Sequence, residues 1–381
     1  MIEPMGTGQV LALLPLLLRG AGIDAADVPR FVGLFVPLIF AVGLPFVPFW
    51  GVWADKYSRK AVVVRSAAVE TIVLVGTALS GAPWQLAISV GLMGLALGNT
   101  GVMLAMLRET APRARLGLVV ATMSAVGPIG FALGPALAAV LVDVLGRPLR
   151  DVFLLSAALT AASTTMLAIG VTEVRPTVVP TDGALRLAVR ALRGTILDPT
   201  TRALFLLFGG TLLAGQMIGT YLPLVVEHAI GTGPGLVSAI GLVVGGSALF
   251  GSVATPLTGA LGDKVGFRRV LAGGLAASAA ATATLSAAPT VPVLAAVATA
   301  YALANNGSRA MILALLSVEV PAAQRSATLN LVYLPLYLAG IAGPIVASAL
   351  VLGGLTVVYL AAALVLAVCA AAALRPPRTA P

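Results

Sequence analysis

Gly51–Lys60, read GVWADKYSRK, decides the fold. It is a charged tether in which Asp55 is followed by Lys56, Arg59 and Lys60. Long apolar runs flank it, Phe31 to Trp50 before and Ala61 to Ser80 after. About 20 apolar residues are what a helix needs to cross a bilayer, so the tether reads as a hairpin between two membrane helices. The pattern returns once, at Gly259–Arg269 (GALGDKVGFRR), with Asp263 lying 208 residues after Asp55. A charged hairpin used twice, a little over half a chain apart, predicts a duplicated bundle of membrane helices.

The rest of the composition agrees. Of 381 residues, 59% are apolar and 10% charged, against roughly a quarter charged in a soluble domain. The net charge of +9 fits cytoplasmic loops rich in Lys and Arg better than a nucleic-acid partner. One cysteine, Cys369, lies in the last apolar run and so makes no intrachain disulfide. No Gly-rich phosphate loop, metal-ligand cluster or nucleophile–base pair is legible. The sequence therefore predicts neither an enzyme nor a cofactor or metal, and no nucleic acid.

Twelve apolar spans are predicted, at about 1–19, 31–52, 61–80, 84–107, 117–141, 152–172, 203–226, 235–260, 270–288, 292–318, 327–351 and 355–374. Counting cations on each side, 17 Lys and Arg fall in the even-numbered loops, the middle segment and the tail, and four in the opposite loops. The positive-inside rule then places both termini and both charged hairpins on the cytoplasmic side; a bacterial plasma (inner) membrane is the expected setting. Glu173 to Arg202 is the long polar segment, with Arg186, Arg190 and Arg193 at helical spacing. It reads as a linker helix on the anionic inner leaflet.

Landmarks repeat 207 to 210 residues apart: Gly8-Gln9 with Gly215-Gln216, Pro15 with Pro223, Glu109 with Glu319, Arg115 with Arg325, and Gly134-Pro135 with Gly343-Pro344. The fold class is thus all-α and membrane-embedded, with twelve helices in two six-helix bundles. The expected divisions are 1–172, a linker at 173–202, and 203–381. On this repeat Met1 matches about Phe208, whereas the seventh span begins near residue 203. The first helix is expected to be missing at least five residues of its start.

In these motifs the chain resembles the major facilitator superfamily over essentially its whole length. GVWADKYSRK fits that family's loop signature: a glycine, an aspartate four residues on, then a basic run. The second copy departs from it, because Phe267 stands where an arginine is common and Arg268 follows one place later. The fifth span, GFALGPALAA, is similar to the Gly-x-x-x-Gly-Pro signature of drug:proton antiporters through Gly130, Gly134 and Pro135, with Ala138 and Ala139 replacing the usual glycine pair. The LLPLLLRGAGI ending of the first span points to the same branch. One feature does not: that branch often carries a base early in the fourth span, where this chain has Val90.

The resemblance implies a transporter whose first, fourth, seventh and tenth helices line a cavity. It implies a gating role for Gly51, Asp55, Arg59, Arg115, Asp263, Arg268 and Arg325. In it Asp55 meets the start of the eleventh helix near Ser326, and Asp263 with Arg268 repeats the contact against the fifth helix. The residues themselves nominate further groups, since intramembrane polar side chains are costly. Glu3 is the first choice for a proton or cation site. Glu70, in the third span, reads as a structural partner of Arg65 or as a second proton carrier. Gln9 and Gln216 would face each other across the cavity. Asn99, Asn305, Asn306 and Arg309 add polar groups, and Tyr333 and Tyr337 could stack on a substrate. Arg309 needs an anion, for which Glu3, Glu319 and a substrate carboxylate stand open.

Two transport readings follow. One is secondary-active export of amphipathic drugs or related small molecules by proton antiport through alternating access. The alternative is a sugar, amino-acid or other metabolite transporter, or an uncoupled facilitator, which Val90 and the amides favour. A scaffold or sensor would need a soluble domain to read out its state, and none is legible. A monomer is expected, because one chain holds both halves.

Overall fold

A computed structural model describes residues 2–110, 116–173, 198–319 and 333–374. We number twelve helices in chain order. They are α1 (Ile2–Gly20), α2 (Val28–Lys56), α3 (Arg59–Leu79), α4 (Pro83–Leu92 and Thr100–Thr110), α5 (Leu116–Ala139) and α6 (Leu149–Gly170). After the linker come α7 (Pro199–Ile230), α8 (Leu236–Ile240, Gly246–Ser252 and Ala254–Val265), α9 (Phe267–Leu285), α10 (Val291–Glu319), α11 (Tyr333–Leu350) and α12 (Leu355–Ala373). There is no strand among the described residues.

Nine of these helices are long and apolar enough to cross a bilayer. The other three, α1, α9 and α10, are diluted by particular residues: Glu3 and Gln9 in α1, a run of Ala, Gly, Ser and Thr in α9, and Asn305, Asn306 and Arg309 in α10. At the end of α2 the rings of Phe49, Trp50, Trp53 and Tyr57 form a chain, with neighbouring centroids 4.8 to 5.6 Å apart along Phe49–Trp53–Tyr57. Trp and Tyr are enriched at membrane interfaces, which suits a helix that ends in a charged hairpin.

Local chemistry sets the boundaries. Ser58 caps α3, its hydroxyl accepting from the Ala61 amide at 2.9 Å. Asp198 caps α7 by accepting from the Thr201 amide at 2.7 Å, and Pro199 supplies a first-turn residue whose fixed φ suits a helix. This cap starts α7 several residues earlier than its apolar run suggests. Gly266, at φ +99°, passes the chain from α8 to α9 in one residue, a conformation that a side chain disfavours.

The predicted spans correspond one to one with the twelve helices. The difference is internal, because the fourth and eighth spans were expected to be continuous. In α4 the helix tightens to a 3-10 turn at Met93–Ala96, extends at Leu97, and restarts beyond Gly98. In α8 a π-helical turn at Gly241–Gly245 and a second interruption at Val253 divide the helix. Of the linker only its ends are described, so the expected leaflet-bound helix lies outside the described residues.

By internal contacts the chain divides into two compact units. The first is Met1–Phe31, Phe35–Ala184 and Gly233–Gly241; the second is Val32–Leu34, Leu185–Thr232 and Leu242–Pro381. In the first unit α1 packs on α5 and α3 on α6; in the second α7 packs on α11 and α9 on α12. Within the first unit the Asp143 carboxylate accepts from the Ser238 amide and hydroxyl, both at 2.7 Å, and so caps the opening turn of α8.

Two close helix crossings are related by the repeat as well. A Cβ added at Gly134 on α5 would lie 2.2 Å from the Met5 carbonyl oxygen and 3.0 Å from Gln9 Cγ on α1. At Gly343 on α11, the repeat partner, it would lie 2.9 Å from Gln216 Cβ and from the Leu213 carbonyl oxygen on α7. A glycine lets two backbones approach closely, and here each is matched to the glutamine that the repeat pairs with it.

Candidate functional site

In the first unit, the break in α4 builds a polar cluster. Asn99 stands where the helix restarts, and its side-chain amide donates to both Glu3 carboxylate oxygens at 2.8 and 2.9 Å. The break also frees the Leu97 carbonyl, which accepts from Arg65 Nη2 at 3.2 Å. The Arg65 guanidinium lies over the Trp50 ring, 3.6 Å from its centroid, and donates to the Ser66 hydroxyl at 2.8 Å. Thr7, one turn after Glu3 on α1, donates to Glu70 Oε1 at 3.4 Å. Glu70 is completely buried, and its Oε2 has no hydrogen-bond partner among the described residues. Gly6 makes the room, since a Cβ there would come 2.4 Å from Glu70 Oε1. Glu3 lies near enough to Arg65 to attract it and to Glu70 to repel it when both carboxylates are charged.

This arrangement corrects one expectation. Arg65 does not bond Glu70; it spans from Trp50 to the α4 break, and Glu70 is served by Thr7. Val90 itself is buried and apolar, so the cation beside α4 comes from α3.

Gln9 and Gln216 each sit at a helix crossing. Gln9 is fully buried, and its Nε2 donates to the Gly134 carbonyl at 3.1 Å. It joins α1 to α5 inside the first unit. Gln216 lies against Gly343 in the second unit. Each glutamine belongs to a helix crossing within its own unit.

In the second unit α10 carries a polar face. Tyr301, Asn305 and Arg309 are spaced by four, hence one above another. Asn305 Nδ2 donates to the Tyr301 hydroxyl at 3.0 Å, while Asn305 Oδ1 is buried with no hydrogen-bond partner among the described residues. Arg309 Nε is likewise buried with no hydrogen-bond partner among the described residues. The guanidinium fits against Gly215 of α7, where a Cβ would meet Nη2 at 2.5 Å. Asn306 turns instead toward Gly251 of α8. Tyr337 is buried in α11, and the Tyr333 side chain lies outside the described set.

At the charged hairpins Arg59 is buried and Asp263 exposed. Arg268 grips Glu319 at the end of α10 through Nε at 2.9 Å and Nη2 at 2.6 Å. That fork also removes Glu319 from the possible partners of Arg309. Glu3 is likewise held, by Asn99. The Asp55 side chain, Gly51, Arg115 and Arg325 fall outside what is described. Gly130, Gly134 and Pro135 lie in α5, with Gly134 at the α1 crossing.

Three participants were not singled out from sequence. Thr7 and Trp50 have no signal beyond their type. Glu173 reads as the start of a linker, yet it accepts from the Arg59 amide at 2.9 Å, the Lys60 amide at 3.4 Å and the Ser58 hydroxyl, so it caps α3 from the far end of the first unit.

A multi-pass helical membrane protein, duplicated and with buried charge inside each repeat, is the class that fold and site define. The chain belongs to the Major Facilitator Superfamily, whose family model matches residues 1–240 and 235–381. It is 28% identical over 270 residues to a "Multi-drug resistance efflux pump PmrA homolog" of Lactococcus lactis subsp. lactis (strain IL1403), covering 70% of this chain and 65% of that one. It is also 28% identical over 273 residues to "Multidrug resistance protein MdtG" of Yersinia enterocolitica serotype O:8 / biotype 1B, covering 71% and 64%. The matched stretch thus spans less than two thirds of either relative's own length. Among solved structures, a bacterial homolog of the human lysosomal transporter Spinster, in an inward-facing and unoccupied conformation, superposes with a TM-score of 0.77 at 16% identity, covering 98% of this chain and 93% of that one. The nucleoside transporter NupG (D323A mutant) gives 0.76 at 17%, covering 98% and 96%. At such identities these neighbours establish the fold alone.

Proposed function

We propose that the protein is a secondary-active exporter of amphipathic small molecules that exchanges them for protons by alternating access. In this reading it works as a monomer in the inner membrane with both termini cytoplasmic. Residues 1–172 and 203–381 form the moving halves and 173–202 the link. The two multidrug relatives support the substrate class. The observation that carries the reading is the cluster of Glu3, Glu70 and Arg65. Two carboxylates and one guanidinium lie together inside a membrane bundle, and the fully buried Glu70 has a carboxylate oxygen with no hydrogen-bond partner among the described residues. Uncompensated charge in that setting is expensive, and a proton is the smallest partner that can neutralise it. Glu3 and Glu70 are assigned as proton carriers, Asn99 and Thr7 as the groups that hold them, and Arg65 as the cation that the fourth helix lacks. Gly51, Asp55, Arg59, Arg115, Asp263, Arg268 and Arg325 are assigned to the cytoplasmic gate.

The test uses proteoliposomes with a pH dye inside and tetraphenylphosphonium as substrate. Adding substrate should move protons, and Glu3→Gln and Glu70→Gln should each bring that movement to background. Proton movement surviving in both variants would remove the assignment. Substrate flux indifferent to an imposed pH gradient would favour the uncoupled facilitator, the reading that Val90 supports.

A further inference from the structure

Among the described residues of the second unit, no acid is placed against Arg309. The unit's own acids are otherwise placed. Asp198 caps α7 and Glu319 is held by Arg268. Asp263 is exposed at the end of α8. Glu227 lies twelve residues beyond Gly215 on α7, roughly 18 Å along the helix axis. Residues 320–332 contain no Asp or Glu at all. A guanidinium within a membrane helix bundle is tolerated when something negative meets it.

We infer that Tyr301, Asn305 and Arg309, with Gly215 as the opening in α7, form a binding subsite for the oxyanion of an amphipathic organic acid, a carboxylate above all. The guanidinium offers the paired N–H donors that match a carboxylate. The Tyr301 hydroxyl already accepts from Asn305, so its own proton remains to be donated to the same anion. The unpartnered Asn305 oxygen adds an acceptor for an N–H beside the acid group, as in an amide-linked or zwitterionic carboxylate. Gly215 carries the independent geometric point. Any side chain there would occupy the place of Arg309 Nη2, so the glycine keeps the cation in position against α7.

This inference rests on the transporter reading above and deepens it by naming a second substrate class beside the lipophilic cations. The experiment separates the two. Equilibrium binding of radiolabelled glycocholate, an amide-linked amphipathic carboxylate, is measured on the purified full chain in nanodiscs, with its methyl ester as the neutral control. Tetraphenylphosphonium flux is followed in parallel. Wild type should prefer the acid to the ester. Arg309→Gln should lose about tenfold or more of acid binding and no longer distinguish acid from ester, whereas Arg309→Lys should keep part of the preference. Gly215→Ala, which leaves every polar group in place, should weaken acid binding by displacing the guanidinium. Monodispersity on gel filtration guards against unfolded variants. If wild type binds acid and ester equally, or Arg309→Gln and Gly215→Ala both bind the acid as wild type does, the subsite is overturned even where tetraphenylphosphonium is exported. Arg309-dependent acid binding without tetraphenylphosphonium flux would keep the subsite and remove the exporter reading.

Discussion

Arg65 shows how far a single residue's role depends on its neighbours' backbone. Sequence places it in the third helix, five residues before Glu70, and the simplest pairing is between the two. The pairing fails because α4 breaks at Met93–Ala96 and offers the Leu97 carbonyl, while Trp50 offers the face of its ring. The signal for the break was present: glycines at 91, 94 and 98 precede Asn99. Apolar periodicity runs through those glycines and hides it. Glu3 and Asn99, in contrast, were legible separately as costly polar groups, although nothing in the sequence joined them. Arg65→Lys should lose the planar stacking on Trp50 and the reach to Leu97. The expected loss is about 1–2 kcal/mol, read as a lower midpoint of thermal inactivation in detergent. An unchanged midpoint would mean that the stacking contributes nothing to stability.

Elements were more legible than contacts, because a bilayer imposes helix length on sequence directly. Caps and crossings needed the structure. Gly134 was read as part of an antiporter signature, and what it does physically is let α5 approach α1. Gly134→Ala should destabilise the first unit by roughly 1–3 kcal/mol through overpacking against backbone. Gly343→Ala should cost less, since the added Cβ would meet its neighbours at 2.9 Å instead of 2.2 Å. Comparing the two midpoints in nanodiscs checks the order, and equal losses would contradict it. Glu173 makes the same point for caps, because a carboxylate 114 residues away from Arg59 in sequence cannot be recognised as a cap by any local pattern. Glu173→Ala should cost about 0.5–2 kcal/mol. Amide hydrogen exchange should be faster in the first turn of α3 than elsewhere in that helix; uniform exchange along α3 would deny the cap.

For the molecule as a whole, duplication was the most legible property, and it reaches further into the structure than the landmarks required. The helix pairings repeat between the units, and so does the Gln–Gly crossing. The polar content does not repeat. The first unit concentrates acid around Glu3 and Glu70, and the second a base at Arg309, so two copies of one scaffold differ in the sign of the charge they hold. Pattern alone could not expose that asymmetry, because it depends on which neighbours each charge finds after folding.

The composition of α10 also bears on how the chain enters the membrane. An insertion channel weighs each segment as it emerges, and an arginine near the centre of a helix adds about 2.5–3.5 kcal/mol against entry. Both α10, with Arg309 and two asparagines, and α9, rich in Ala, Gly, Ser and Thr, fall short of the apolarity shared by the nine other spanning helices. They also pack on each other, close enough that a Cβ at Gly274 would come 2.5 Å from Ser308 Oγ. These two helices should therefore leave the channel as a paired hairpin. In a glycosylation-mapping assay of nascent chains, α10 alone should slip through to the far side. It should be retained when α9 precedes it, and Arg309→Leu should make that help unnecessary. The residue assigned to substrate recognition would then also set the order in which the chain is assembled.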